Sequence, residues 1–154
     1  MEKKHKKNIF IGVAWPYVNG NLHVGHVAGY LLPADITARF YRLLDFKVLM
    51  VSGSDCFGTP ITVEADKRGL SPKEIIDEYH NRNVKLFEKL ALSFDLYTKT
   101  DTKNHRKLTQ SFLQSFWDKG LLEVGEQKQY FSESLSKFLP DRYVEGICPY
   151  CGYK

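Results

Sequence analysis

The sequence lacks the features that would mark several special classes of protein. No apolar run approaches the roughly 18 residues that a membrane-spanning helix needs, which excludes a membrane span. Only three cysteines occur in 154 residues, too few for the disulfide framework of a small secreted domain. No internal repeat or low-complexity segment is present. The low, odd cysteine count favours a reducing compartment, and the cytoplasm is the expected location.

The sequence also has little net charge beyond its first residues. The chain carries 22 basic and 18 acidic residues, a formal net charge of +4. Residues 1–7 hold four lysines and one glutamate, and therefore supply three of the four net charges. The basic balance is weak support for a nucleic-acid-binding face. We expect residues 1–7 to form a basic disordered tail.

What is present is the pattern of a compact α/β domain. Apolar residues make up 43% of the chain, enough for one domain with a real core. Residues 8–14 form a nearly continuous apolar run, which predicts a buried strand rather than a secretory signal, because no cleavage pattern follows. Residues 23–44 show helical spacing, and residues 47–52 form a second apolar strand. Together they predict a βαβ unit of a parallel sheet.

Two details are expected within the helix of residues 23–44. Pro33 should kink the helix or divide it, because proline has no N–H group to donate and its ring clashes with the preceding turn. Asp35 and Arg39 are four residues apart, a spacing that predicts a surface ion pair.

Capping signals mark three further helices. Thr59-Pro60 is typical of a helix start, and the Ser71-Pro72-Lys73-Glu74 segment is a capping box that opens a helix to about residue 92. Asp101 or Thr102 caps a further helix that stops at Gly120. Beyond it, residues 121–131 are typical of a hairpin. The predicted organisation is an α/β domain over residues 8–120 and a small extended module over residues 121–154.

The first candidate site is the histidine pair His23-Val24-Gly25-His26, which follows the first strand and opens the first helix. Ligands bind beyond the carboxyl ends of strands in open parallel sheets, and a helix N-terminus there suits phosphate. Both imidazoles can donate to phosphate oxygens, while Gly25 permits close approach to the backbone. The alternative is a helix start that happens to hold two histidines, one of them packed. A zinc site is not indicated, because it needs histidines four apart with a glutamate.

The second candidate is Asp55, in the glycine-containing turn after the second strand. This turn lies at the same edge of the sheet as the histidines. A carboxylate there can pair with a substrate ammonium, a hydrogen bond that contributes about 1.5–3 kcal/mol. The alternative for a single aspartate in a turn is local turn chemistry.

The third candidate is Cys148-Pro-Tyr-Cys151, with Gly152 behind it. Two thiolates at this spacing can share one tetrahedral zinc ion. The rival interpretation is a redox dithiol, which belongs near the start of a thioredoxin-like domain and not at the far end of a chain. Two cysteines cannot close a structural zinc site, so further ligands must come from elsewhere. His5, His80 and His105 are predicted to be surface residues.

The segments around these candidates resemble a known family. Residues 14–26, AWPYVNGNLHVGH, resemble the HIGH signature of class I aminoacyl-tRNA synthetases over thirteen consecutive residues. Residues 52–61, SGSDCFGTPI, and the FLPDRYVEG run before CPYC resemble methionyl-tRNA synthetases. The resemblance covers essentially all of residues 8–154. One departure is Phe57, where many members have histidine, which puts a local contact to the nucleotide in doubt.

The resemblance implies the first half of a Rossmann-type class I catalytic domain, followed by the start of a zinc-binding connective insert. It implies activation of methionine by ATP (with Mg²⁺) to methionyl-adenylate, and transfer of the methionyl group to tRNA(Met). His23, Gly25 and His26 would then bind ATP and stabilise the transition state. The methionine-binding set would be Ala14, Trp15, Pro16, Tyr17 and Asp55, and the zinc ligands would be Cys148 and Cys151.

Other functions remain as alternatives. The class I synthetases for isoleucine, leucine and valine share the first signature, but the segments around Asp55 and Cys148 disfavour them. A non-enzymatic zinc-ribbon module that binds RNA would account only for residues 138–154, and the redox module only for CPYC. The family's second signature, a KMSKS-type loop, is absent from this sequence. We therefore expect the chain to be a fragment, inactive alone and only marginally folded; its oligomeric state is not predicted.

Overall fold

The computed structural model describes residues 7–134, 137–139 and 146–153. Most of the predicted tail and residues 140–145 of the FLPDRYVEG run lie outside these ranges. Contacts within the chain define two compact units, residues 1–108 and 109–154. The boundary expected near residue 120 stays a prediction about domain organisation. No helix in the described part of the chain is long and apolar enough to cross a membrane.

The first unit is built on a three-stranded parallel sheet. Its strands are β1 (Asn8–Gly12), β2 (Lys47–Ser54) and β3 (Leu96–Lys99), in the order β1-β2-β3. Asn8 is in register with Lys47 across the first pair of strands. The predicted α/β class with a parallel sheet is confirmed, and β1 and β2 lie where the apolar runs placed them. The short strand β3 was not predicted.

The helix that joins β1 to β2 is continuous but changes its winding. It begins as α1 (Val24–His26), passes through a π-helical turn (Val27–Leu31) and continues as α2 (Leu32–Leu43). The π turn ends at Leu31, two residues before Pro33, and the N–H of Leu32 donates to the carbonyl of Val27. Proline cannot donate to the carbonyl four residues earlier, and the wider turn accommodates this loss. The disruption expected at Pro33 therefore takes the form of a π turn.

The three helices predicted from capping signals are found close to their predicted bounds, although the first has Gly58 at its N-cap position and no side-chain cap. They are α3 (Thr59–Arg68), α4 (Pro72–Lys89) and α5 (Lys103–Asp118). The capping box is confirmed, because Ser71 and Glu74 accept each other's backbone N–H groups. Thr102 caps α5 by accepting from the N–H of His105 at 3.1 Å.

One face of the sheet carries the main core. This cluster lies between β2 and the helices α2 and α4, and its buried members are Val13, Leu31, Ala38, Met50 and Phe87. A second cluster joins the loop after β1 to α3 and α4, with members Val18, Cys56, Ile61, Ala65, Ile75, Ile76 and Tyr79. The second cluster holds the loop and turn that carry the candidate site.

The opposite face of the sheet exposes apolar side chains. Phe10, Leu49 and Leu96 are exposed by 69%, 49% and 53%. Phe10 and Leu49 are direct partners in the register, so their side chains lie on the same face. Successive residues of a strand alternate between faces, which is why Met50 is buried while Leu49 is not.

Asp35 and Arg39 form the expected ion pair, but the prediction that it lies at the surface is wrong. Asp35 is buried, and its carboxylate accepts from the backbone N–H and the hydroxyl of Ser93 as well as from Arg39. Arg39 also donates to the carbonyl of Ala91. The pair therefore ties α2 to the loop before β3.

The second unit contains a short antiparallel pair of strands, β4 (Tyr130–Ser132) and β5 (Lys137–Leu139). The rings of Phe131 and Phe138 pack edge-on across this pair of strands, with 5.0 Å between their centroids. The hairpin predicted over residues 121–131 is therefore displaced along the chain, because residues 121–129 form no strand.

Candidate active site

The site is assembled where β1 and β2 end. After β1 the chain continues beside the turn that follows β2, and Tyr17 and Asp55 form a parallel bridge. The N–H of Asp55 donates to the carbonyl of Pro16 at 2.9 Å, and the N–H of Val18 donates to the carbonyl of Asp55 at 3.3 Å. These bonds bring Asp55 next to the loop of residues 14–17, with which it was predicted to form one amino-acid-binding site.

The serine-glycine end of β2 leaves room for the indole of Trp15. The hydroxyl of Ser52 donates to the carbonyl of Ala14 at 3.1 Å, which holds the loop against the strand. A Cβ atom on Gly53 would lie 2.4 Å from the Trp15 ring and 2.8 Å from the carbonyl oxygen of Thr98. Only glycine therefore lets the indole lie against the strand.

Tyr17 is supported by the second glycine of the turn. Gly58 has φ of +130°, a conformation that side chains disfavour, and a Cβ atom there would lie 3.4 Å from the Tyr17 ring. Pro16 is buried, whereas the aromatic side chains of Trp15 and Tyr17 are partly exposed. Two aromatic surfaces thus remain available beside the Asp55 turn.

The carboxylate of Asp55 is half-buried and only partly used. Its Oδ1 atom accepts from the N–H of Phe57 at 3.2 Å. Within the residues that the structure describes, this is its one hydrogen bond. The remaining acceptor capacity of an ionised carboxylate is available to a cationic ligand.

The two histidines hold each other in place through the backbone. Nδ1 of His23 accepts from the N–H of Gly25 at 3.0 Å, and Nδ1 of His26 accepts from the N–H of His23 at 3.2 Å. Their ring centroids are 4.0 Å apart. Because each Nδ1 atom is an acceptor, each neutral ring carries its proton on Nε2. Both Nε2–H groups are therefore left to donate to a ligand.

The surroundings of His26 disfavour a positive charge on its ring. Burial lowers the pKa of His26 below its usual value, and the neighbouring His23 lowers it further. Gly25 is required between them, because a Cβ atom there would lie 2.8 Å from the His23 ring.

The cysteine pair lies on a tight turn in the second unit. The N–H of Gly152 donates to the carbonyl of Cys148 at 2.9 Å, and Gly152 adopts φ of +68°. The backbone N–H groups of Cys151 and Tyr150, with the Cys151 thiol, lower the pKa of the Cys148 thiol. Among the described residues, no group of three or more metal-binding side chains is found. The two thiols therefore lie close enough to interact with each other.

Sequence reasoning missed the polar residues beneath the site. Ser54, His80 and Tyr97 form a hydrogen-bonded group at the end of β2. His80 and His105, predicted to be surface residues, are both half-buried. A signal was available at β2, where two serines replace apolar residues on the buried face.

Solved structures share this fold. The chain superposes on Mycobacterium tuberculosis methionyl-tRNA synthetase in complex with methionyl-adenylate with a TM-score of 0.77 and 22% identity, over 96% of this chain and 30% of the other. It superposes equally well on Agrobacterium radiobacter K84 LeuRS, solved with tRNA and LeuAMS, at a TM-score of 0.77 and 23% identity. That match covers 98% of this chain and 19% of the other. The chain therefore has the fold that these two aminoacyl-tRNA synthetases share.

Sequence comparison identifies the family to which the chain belongs. The family model described as "tRNA synthetases class I (M)" matches residues 9–154, and the chain belongs to this family. It is 50% identical over 147 residues to the methionine–tRNA ligase of Thermomicrobium roseum and 51% identical over 146 residues to that of Roseiflexus sp.. These matches cover 96% and 95% of this chain and 25% of each relative. The chain spans about a quarter of the length of these curated relatives.

Proposed function

We propose that this chain supplies the amino-terminal part of a methionine–tRNA ligase. Such an enzyme activates methionine with ATP to methionyl-adenylate, releases pyrophosphate, and transfers the methionyl group to tRNA(Met). The observation that carries the proposal is the bridge between Tyr17 and Asp55, which joins an aromatic loop to a carboxylate with spare acceptor capacity. Relatives at 50% and 51% identity bear that name.

Methionine recognition divides between charge and packing. The carboxylate of Asp55, with backbone groups at Ala14 and Trp15, binds the ammonium group. The rings of Trp15 and Tyr17, with Pro16, line the entrance to the side-chain pocket, where a thioether packs well against aromatic edges. Burial of the methionine side chain contributes about 1.5–3 kcal/mol. A missing methylene changes the binding free energy by only about 1–3 kcal/mol, so close analogues are rejected imperfectly.

The chemical step needs no nucleophile from the protein. The methionine carboxylate attacks the α-phosphorus of ATP, and pyrophosphate leaves with the bonding electrons. The Nε2–H groups of His23 and His26 donate to phosphate oxygens and stabilise the charge that develops there, while Gly25 leaves room for the adenosine. Loss of one such donor costs about 10²–10³ in rate. Mg²⁺ accompanies ATP and neutralises part of its charge.

We further propose that Cys148 and Cys151 bind a structural zinc ion together with ligands from outside the described residues. Zinc would hold the connective insert in one conformation. The lowered pKa of the Cys148 thiol favours the thiolate form, which zinc binding and the redox alternative both use. Thiol titration of the full-length protein with and without a chelator tests this: protection that the chelator removes supports zinc, and rapid reaction with disulfides in both cases supports the redox alternative.

The decisive test of the proposed function is methionine-dependent ATP–pyrophosphate exchange by the full-length protein that carries these residues. Leucine, isoleucine and valine are the control substrates, because the fold alone does not choose between amino acids. Exchange that depends on methionine supports the proposal, and exchange with one of the other three overturns it. We propose that the enzyme acts in the cytoplasm, with methionine, ATP and tRNA(Met) as its partners.

The coding sequence beyond codon 154 decides how these assays are set up. A frame that continues to a second cysteine pair and a KMSKS-like loop means that the full chain must be assayed. A stop codon directly after Lys154 leaves two alternatives, a chain that pairs with a second polypeptide or a remnant with no activity, and an exchange assay with and without such a partner separates them.

A further inference from the structure

Beneath the Asp55 turn lies a buried polar group formed by Ser54, His80 and Tyr97. The Ser54 hydroxyl lies 2.8 Å from Nδ1 of His80 and 2.9 Å from the Tyr97 hydroxyl. Ser54 is fully buried. The imidazole of His80 stacks on the Tyr97 ring, with 5.5 Å between the ring centroids and an angle of 12° between the ring planes. The group therefore links α4, β2 and β3.

The backbone connects this group directly to the carboxylate above it. Ser54 is the last residue of β2 and is followed at once by Asp55. The carbonyl of Ser54 accepts from the N–H of Thr100 at 3.0 Å, and the N–H of Asp55 donates to Pro16 at 2.9 Å. A shift of the Ser54 side chain therefore moves the peptide that orients Asp55.

The directions of the hydrogen bonds among Ser54, His80 and Tyr97 depend on the charge state of His80. Each hydroxyl has one hydrogen, so a neutral ring permits an ordered chain in which Tyr97 donates to Ser54 and Ser54 donates to Nδ1 of His80. A protonated ring must itself donate from Nδ1 to the Ser54 oxygen, which reverses the chain: Ser54 then donates to Tyr97, and the Tyr97 hydrogen needs a new acceptor. The ordered chain therefore exists only with neutral His80.

The surroundings of His80 favour the neutral ring. Burial lowers its pKa below the usual value, and the charge of Lys99 on β3 lowers it further. Asp77, one turn earlier on α4, acts in the opposite direction, but its carboxylate is paired with the Lys99 ammonium group at 2.8 Å. The groups that face the ring from the packed elements are thus Ser54, Tyr97, Lys99 and Asp77.

We propose that His80 is a positioning residue for the methionine ammonium site: in its neutral form it holds Asp55 in place through Ser54, and its protonation weakens methionine binding. This inference rests on the proposed function and adds a residue and a pH dependence to it. His80 does not touch the substrate; it acts through the end of β2.

The test measures the Kd for methionine by intrinsic tryptophan fluorescence of the full-length protein without ATP. Omission of ATP separates this binding from titration of the nucleotide-binding histidines His23 and His26. His80→Ala should weaken methionine binding about five- to tenfold, which corresponds to one lost hydrogen bond, and leave the Kd for ATP unchanged. His80→Asn retains an amide group near the position of Nδ1 and should bind methionine like the wild type at neutral pH.

The pH profile distinguishes positioning from a merely structural role. As the pH falls below the ordinary histidine range, the wild-type Kd should rise, because His80, whose pKa is lowered, acquires a proton only there; His80→Asn should lose this acid rise. Ser54→Ala should weaken binding to a similar extent, and adding His80→Ala to it should have no further effect. Asn81→Ala, at an exposed position on the same helix, is the matched control.

Three results would overturn the inference: an unchanged methionine Kd in His80→Ala, an equal loss of ATP binding, or an acid rise that persists in His80→Asn. If His80→Ala does not fold, the pH profile of His80→Asn decides alone. A wild-type protein with neither methionine binding nor methionine-dependent exchange overturns the proposed function, and the inference fails with it.

Discussion

At the scale of single residues, the site depends on hydrogen bonds between backbone and side chain that set which atoms face a ligand. Each histidine of the pair accepts a backbone N–H through Nδ1, and these bonds determine the tautomer of both neutral rings. Asp55 uses one oxygen atom for the N–H of Phe57 and keeps acceptor capacity for a ligand. The groups that remain available to a ligand are therefore the Nε2–H groups of the two histidines and the spare acceptor positions of the Asp55 carboxylate.

Replacement of Asp55 by alanine should raise the KM for methionine about tenfold to a hundredfold, because a charged hydrogen bond contributes about 1.5–3 kcal/mol. The fold should remain, since the residue is half-buried and its backbone bonds to Pro16 and Val18 persist. Steady-state exchange assays on the full-length protein measure the effect, with the melting temperature as control. An unchanged KM would contradict the assigned role.

Gly53→Ala should weaken methionine binding and lower stability together. The added methyl group would meet both the Trp15 ring at 2.4 Å and the backbone oxygen of Thr98 at 2.8 Å, so that the indole must move. Gly29→Ala is the matched control, because nothing lies within 4 Å of its Cβ position. Tryptophan fluorescence and thermal unfolding measure the two effects. Equal behaviour of both variants would show that the close approach at Gly53 is unimportant.

At the scale of secondary-structure elements, polar side chains connect segments that are distant in sequence. Asp35 on α2 accepts two hydrogen bonds from Ser93, at 2.6 Å and 2.5 Å. Asp95 accepts from both Arg42 and the N–H of Met50. These bonds attach α2 and β2 to the loop that leads into β3, and they position the third strand.

The Asp35 network predicts a pH-dependent stability. Burial alone would raise the pKa of Asp35, but the hydrogen bonds from Ser93 and Arg39 outweigh it and hold the pKa below its ordinary value of 3.8. The stabilisation is therefore fully present above the unfolded-state pKa and is lost as the pH falls through the folded-state pKa.

Asp35→Asn should cost about 1–3 kcal/mol at neutral pH, because it disturbs the donors gathered around a buried carboxylate. The difference from the wild type should shrink as the pH falls below the ordinary carboxyl range. Urea denaturation of the full-length protein across this pH range measures both effects. Glu88→Gln, at an exposed position, is the control. A loss of stability that does not depend on pH would contradict the assigned charge state.

At the scale of the whole molecule, the first unit covers only one face of its sheet. Phe10 on β1, Leu49 on β2 and Leu96 on β3 remain exposed on the other face. Contiguous exposed apolar surface of this kind is typical of a face that another segment or partner covers. The chain also spans about a quarter of the length of its relatives.

The 154-residue chain by itself should therefore be inactive in methionine-dependent exchange and only marginally stable. Its exposed sheet face should bind a hydrophobic dye, and replacing Phe10 and Leu49 by serine should reduce that binding. Exchange assays, dye fluorescence and urea denaturation of the isolated chain measure these properties. Measurable exchange by the chain alone would contradict the prediction.

The sequence predicted elements well where the signal was local. Apolar runs located β1 and β2, and the capping box at Ser71 located the start of α4, because strands and caps depend on adjacent residues. The strand β3 was missed, since its four residues carry no distinct pattern and pair only through β2. The burial of Asp35 was also missed, because its partner Ser93 lies 58 residues away.

The sequence by itself determined the family, the order of the elements and the identity of the candidate residues, because the segments around His23, Asp55 and Cys148 are contiguous and specific. Only the tertiary structure decided that Asp55 pairs with the loop at Tyr17, that the Trp15 ring lies against Gly53, and that His80 reaches Ser54. Such contacts join residues far apart in the chain, and their geometry follows from how the strands and helices pack.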